Sequence, residues 1–121
     1  MNNKEYQAWA MTKDVDTYAE VSARLLKQDN LMRLLHAAVG MCGESGELID
    51  AVKKSVVYGK ELDVANVKEE LGDALWYMAL ALKAIGSSFD EVMELNKTKL
   101  EKRYPTGFTE KDAILRADKK T

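Results

Sequence analysis

Two acidic doublets, Glu44-Ser-Gly-Glu47 and Glu70-Leu-Gly-Asp73, are the residues of this chain best suited to chemistry. Each has i, i+3 spacing in a stretch that reads as helix, and on a helix that spacing stacks both carboxylates on one face. Two such faces brought together make an oxygen-rich pocket, which is what hard divalent cations bind: Mg²⁺ first, with Mn²⁺ as a substitute. The acids lack the basic partners that ordinary surface acids have, although solvated helix faces would also account for them. Glu44 and Glu47 lack a Lys or Arg at i±3 or i±4, while Glu70 and Asp73 are followed one turn later by Ala74 and Tyr77. Unpaired acids among apolar neighbours are costly unless a cation joins them. Asp50 differs, since Lys53 and Lys54 follow at i+3 and i+4 and form an ordinary surface pair with it. Glu69 points nearer the polar side and is read as a bystander.

The elements that must position these acids are helices. A weak first helix is expected over 3–27, broken near Asp14-Val15-Asp16. A second runs over about 30–58, with Leu31, Leu34, Leu35, Ala38, Val39 and Cys42 at helical spacing and Gly59 as its stop. Asp63 is a suitable N-cap for a third, whose apolar stripe runs from Val64 to Ile85 and ends at Gly86. Ser88-Phe-Asp-Glu91 fits a capping box opening a fourth helix, which must stop before Pro105. A short helix is expected over about 109–117. No segment alternates with period two, so the fold class is all-α: an antiparallel bundle of about four core helices in a single domain, 1–121, with its motif core at about 30–108.

A short 59–62 connection makes helices two and three antiparallel neighbours. Folding about its middle sets Glu47 level with Ala74 and Glu44 with Tyr77, and puts Glu70 and Asp73 level with Ala51 and Leu48. Both doublets thus fall at about the same height, roughly 20 Å from the loop at ~1.5 Å per residue. Gly40, Gly43 and Gly46 recur through the first acidic segment, each costing a helix interior about 1 kcal/mol relative to Ala. Close helix packing and room for a ligand are both adequate reasons for them.

Asn96, Lys99 and Arg103 share a face of the fourth helix. Folding about Ser87 brings Lys99 level with Leu75 and Arg103 with Leu71, where a cationic face would complement phosphate held by a cation. Cations also favour helix C-termini for their own sake, and Lys97 and Lys102 are read as solvent charges. Trp76, Tyr77, Trp9 and Tyr6 are candidates for stacking on a nucleobase, although such residues also serve as core or interface.

Composition narrows the classes. The chain has 121 residues, 46% hydrophobic and 31% charged, as expected for one globular domain with spare apolar surface. A net charge of −2 argues against a general nucleic-acid binder. No apolar run is long enough to span a membrane, and the first residues lack the apolar core of a signal peptide. Cys42 is the single cysteine, so no internal disulfide forms and a reducing, cytoplasmic location is expected. His36 is the single histidine, which excludes a histidine-rich zinc site and disfavours a ferritin-like di-iron centre. P-loop, Rossmann and nucleophile-elbow patterns are missing.

The segments His36-Ala-Ala-Val-Gly-Met-Cys-Gly-Glu-Ser-Gly-Glu-Leu48, Glu69-Glu-Leu-Gly-Asp73, and Asn96 through Lys99 to Arg103-Tyr-Pro-Thr-Gly-Phe108 together resemble the MazG-like nucleotide pyrophosphohydrolases. These belong to the all-α NTP pyrophosphatase superfamily. The resemblance covers about residues 30–108, and its ordered ExxE…ExxD pairing is more specific than either half. It implies hydrolysis of nucleoside triphosphates, often deoxy or non-canonical, to monophosphate and pyrophosphate. It implies Mg²⁺ held by Glu44, Glu47, Glu70 and Asp73, with Asn96, Lys99 and Arg103 contacting phosphate, in a homodimer or homotetramer. Water would attack the α-phosphorus, with Glu47 preferred as its base. Two other readings compete: a non-catalytic helical module that binds a nucleotide or protein, and a plain oligomeric bundle with solvated acids.

Overall fold

Local sequence signals set most helix boundaries. The structure, a computed structural model describing residues 1–15 and 17–120, contains α1 (Asn3–Met11), α2 (Tyr18–Leu26), α3 (Asp29–Val56), α4 (Val64–Ile85), α5 (Phe89–Arg103) and α6 (Glu110–Leu115). A 3₁₀ turn, Ala117–Lys119, follows. Among the described residues no strand occurs, so the all-α expectation stands. The N-terminal helical stretch is interrupted where the sequence suggests, giving two helices; Asp14 and Val15 lie in the break, and Asp16 is outside the described residues. Asn2 and Glu5 form a full capping box on α1, a signal that the expectation missed.

The other ends follow residue chemistry. The Asp63 side chain accepts the Asn66 N–H at 3.0 Å, starting α4. Gly86 adopts φ +68, and the Ser87 N–H reaches back to the Leu82 carbonyl at 3.0 Å. That left-handed close needs a residue without a Cβ penalty. On α5, Ser88 accepts the Glu91 N–H at 3.2 Å, but the Glu91 carboxylate takes the Ser87 hydroxyl at 2.5 Å, so half of the expected box forms. Helix α6 stops at Leu115 because Arg116 turns left-handed at φ +53.

The dominant packing is the α3/α4 hairpin; α2 lies against α3, and α5 packs on α6 and the 3₁₀ turn. Helix α5 makes no comparable contact along α3 or α4, so its expected fold-back onto α4 is not what the chain adopts. The buried apolar residues are Ala37, Ala51 and Ala84, all small. They let α3 and α4 approach closely, but they make a thin core. Large side chains such as Ile49, Val56 and Leu75 stay more than half exposed.

The hairpin register differs from expectation by about one turn. Gly40 faces Tyr77, and Glu47 meets Glu70 rather than Ala74. The connection is the longer 57–63 segment. It turns through Gly59 at φ +67, with the Lys60 N–H returning to the Lys54 carbonyl at 3.2 Å. This wider turn feeds α4 back offset along α3, a displacement that a symmetric fold about a four-residue loop does not capture.

Candidate metal centre

The corrected register brings the carboxylates together. Glu44, Glu47 and Glu70 each offer an oxygen, and these atoms all lie within 4.8 Å of one another. Glu44 and Glu70 are half-buried and Glu47 is exposed at the rim. Glu44 Oε2 and Glu70 Oε2 are buried from solvent without a hydrogen-bond partner. Buried acceptors are almost always satisfied, and two orphaned carboxylate oxygens side by side are a strong reason for a cation to occupy the space between them. Asp73 falls outside this group of three, but its charge acts on both Glu47 and Glu70. Glu69 stays exposed and outside the cluster.

The electrostatics agree with a cation-seeking site. Glu47 is raised above the ordinary carboxyl range, first by hydrogen bonding with Glu70, then by repulsion from it, with desolvation and Asp73 adding. In Glu70 the hydrogen bond with Glu47 acts to lower its pKa. Desolvation, Glu44 and Asp73 together outweigh that effect and leave Glu70 raised. Carboxylates crowded this way resist ionising together unless positive charge is supplied. The donor set is hard oxygen throughout, which suits Mg²⁺ or Mn²⁺.

The three glycines of α3 divide into two roles. A Cβ on Gly40 would collide with the Tyr77 ring, so Gly40 is there for close packing. A Cβ on Gly43 or Gly46 would meet nothing within 4 Å. Those two glycines open onto a cleft of about 430 Å³ that Glu47 and Glu70 share with Lys54 and Asn66. Asp50, also at the cleft, holds Lys54 Nζ at 3.0 Å and Lys53 Nζ at 3.1 Å, the pairing expected from the sequence.

Of the aromatic candidates, Trp76 and Tyr77 form a cluster with His36: ring centroids are 4.9 Å apart for Trp76–Tyr77 and 5.8 Å for His36–Tyr77. The cluster lies one to two turns from the acids, toward the N-terminal part of α3. Tyr6 and Trp9 pair with each other at 5.5 Å on α1, which has no extensive contact with the hairpin. Asn96 and Lys99 are exposed on α5, away from the acids of the same chain. Arg103 is engaged elsewhere: its Nε and one terminal nitrogen donate to Asp118 at 2.6 and 2.8 Å. The Asp118 side chain is 1% exposed, and this pairing holds its carboxyl at about 2. Sequence reasoning missed Asp118, because no periodicity links it to a residue fifteen positions earlier.

The fold is all-helical, and its paired helices bring three glutamates together in a group that could hold a metal ion. The family model of the MazG nucleotide pyrophosphohydrolase domain matches residues 34–108, spanning both acidic doublets, and the chain belongs to that family. The chain is also 29% identical over 85 residues to the Gene 37 protein of Mycobacterium phage L5, covering 65% of this chain and 73% of that protein. No solved structure matches it significantly. The family's chemistry is nucleotide pyrophosphohydrolysis, a hydrolase reaction that generally uses a divalent metal. Among the described residues, no helix is long and apolar enough to cross a membrane.

Proposed function

We propose that the protein hydrolyses nucleoside triphosphates, deoxy or non-canonical ones foremost, to monophosphate and pyrophosphate with Mg²⁺. The observation that carries this reading is the pair of buried, partnerless oxygens on Glu44 and Glu70 within a three-glutamate cluster. Glu44, Glu47, Glu70 and Asp73 would hold the metal, which when bound supplies positive charge to the phosphates and acidifies water. Glu47, at the rim, accepts the proton as a water oxygen attacks the α-phosphorus. The bond from that phosphorus to the bridging oxygen breaks, and pyrophosphate leaves. Trp76 and Tyr77 are the candidates for contact with the base.

Asn96, Lys99 and Arg103 remain the proposed phosphate contacts of α5, with Arg103 sharing its guanidinium with Asp118. Because α5 stands away from its own hairpin, these groups are proposed to serve the acids of a second copy. The area supports this: the chain exposes 9940 Å², against about 6,600 Å² for a compact protein of its mass. A homodimer or homotetramer would cover the excess and complete the helical bundle.

The test is to incubate the protein with NTPs and dNTPs, with and without Mg²⁺, and identify the products. Monophosphate plus pyrophosphate, formed only with the metal, is expected. Metal-dependent stabilisation without any product would favour the non-catalytic binding module instead.

A further inference from the structure

The cleft beside the acids has a cation of its own. Along α3 the order is His36, Gly40, Glu44, Glu47, Asp50 and Lys54; along antiparallel α4 it is Tyr77 and Trp76, then Asp73, Glu70 and Asn66. The acids therefore lie between an aromatic end and a polar end. Glu47 and Lys54 are seven residues apart on one helix, an axial separation of roughly 10 Å. That is within reach of an extended triphosphate once the lysine's length is counted.

We infer that Lys54, with Asn66 opposite it, receives the β- and γ-phosphates, so that the triphosphate runs from the acids toward the hairpin loop. The inference rests on the proposed nucleotide reading of the acid site and adds to it a direction and two contacts. Three features support it. Lys54 and Asn66 line the same 430 Å³ cleft as Glu47 and Glu70. Gly43 and Gly46 line that cleft, and a Cβ on either would meet nothing within 4 Å. Asp50 fixes Lys54 Nζ at 3.0 Å beside the opening, so a cation is placed there before substrate arrives.

Lys53 is a built-in control. It also pairs with Asp50, at 3.1 Å, but it lines the adjoining apolar surface with Ile49, Val52 and Val56 rather than the acid cleft, and its Nζ lies 5.8 Å from the Tyr58 ring. Replacing either lysine removes one charge and one Asp50 partner, yet only Lys54 faces the acid cleft. A role confined to helix stability or net charge would affect both variants alike.

The experiment is calorimetric binding of an α,β-imido deoxynucleoside triphosphate, and separately of inorganic pyrophosphate, in Mg²⁺. Wild type, Lys53→Met, Lys54→Met and Lys54→Arg are compared, with circular dichroism as a check on folding. Lys54→Met should weaken both ligands by about tenfold or more, as loss of a charged phosphate contact does. Lys53→Met should stay within about twofold, and Lys54→Arg should recover most of the affinity. Equal affinities for the two Met variants, or no binding by wild type, overturn the inference. Turnover of the natural triphosphate by wild type is measured in parallel. Binding that depends on Lys54 without turnover would sink the hydrolase reading while sustaining the contact.

Discussion

At the scale of the residue, the site is a problem in charge crowding. Glu70 raises the cost of ionising Glu47, desolvation with Glu44 and Asp73 raises that of Glu70, and Glu44 and Glu70 each bury an oxygen with nothing to bind it. Glu47→Gln removes one of the crowded charges, so the metal-free protein should melt no lower than wild type. Its Mg²⁺-induced rise in melting temperature should shrink, and turnover should fall by about 100-fold or more. Paired thermal-shift and product assays check this, and a variant that keeps wild-type turnover would remove Glu47 from the chemistry. The glycines give a second residue-level contrast. Gly40→Ala drives a methyl into the Tyr77 ring, and the overpacking should cost about 1–3 kcal/mol. Gly43→Ala meets open space and gains helix propensity, so it should stabilise the metal-free protein by up to about 1 kcal/mol. Urea unfolding of both variants reads the opposite signs directly.

At the scale of the element, local chemistry was legible and relative placement was not. Asp63, Gly86, Ser88 and Thr109 each cap or stop the helix that their residue types imply, because those signals act within a turn. The hairpin register depends on the path of the 57–63 connection, which spacing alone does not encode; a symmetric fold sets Glu47 against Ala74, whereas the structure sets it against Glu70. The acids converge in either register, since a one-turn slip on two helices still leaves i, i+3 faces near each other. The place of α5 is illegible for a related reason: a short connection permits a fold-back but does not compel one. What α5 does hold is the C-terminal turn, through Arg103 and Asp118. This pair predicts an acid dependence. The folded Asp118 carboxyl lies at about 2, below its ordinary 3.8, so its stabilising contribution is complete above the ordinary value. It is lost as pH falls from there through about 2. Hydrogen-exchange protection of residues 116–119, relative to the intrinsic rate at each pH, should therefore fall across that window, and Asp118→Asn should show exchange close to the intrinsic rate at every pH. Slow exchange in that variant would mean the pair does not hold the turn.

At the scale of the whole molecule, the separation of charges within one chain is the fact to be explained. The acids lie on the α3/α4 hairpin, the candidate phosphate contacts Asn96 and Lys99 lie on α5, and the two elements scarcely touch. Meanwhile Leu35, Leu75 and Ile49 are 47%, 54% and 63% exposed along the hairpin, which is apolar surface that a lone chain leaves in water. Association of copies answers both points if the α5 of one chain lies on the hairpin of another. Light scattering should then report a dimer or tetramer, and activity per chain should fall on dilution through its dissociation range. A mixing experiment tests the shared site itself. Glu47→Gln destroys the acids of a subunit, and Lys99→Ala destroys the cation that it lends. Each variant alone should be inactive. In a mixed dimer the intact acids of one chain meet the intact Lys99 of the other, so one of its two sites is whole. With random pairing at equal amounts, about a quarter of all sites should recover. Recovery near that level would place the acids and Lys99 of one working site on different chains. If mixtures stay as inactive as their parents while mass measurements show that subunits exchange, the two groups act within one chain, and α5 must swing onto its own hairpin when substrate binds.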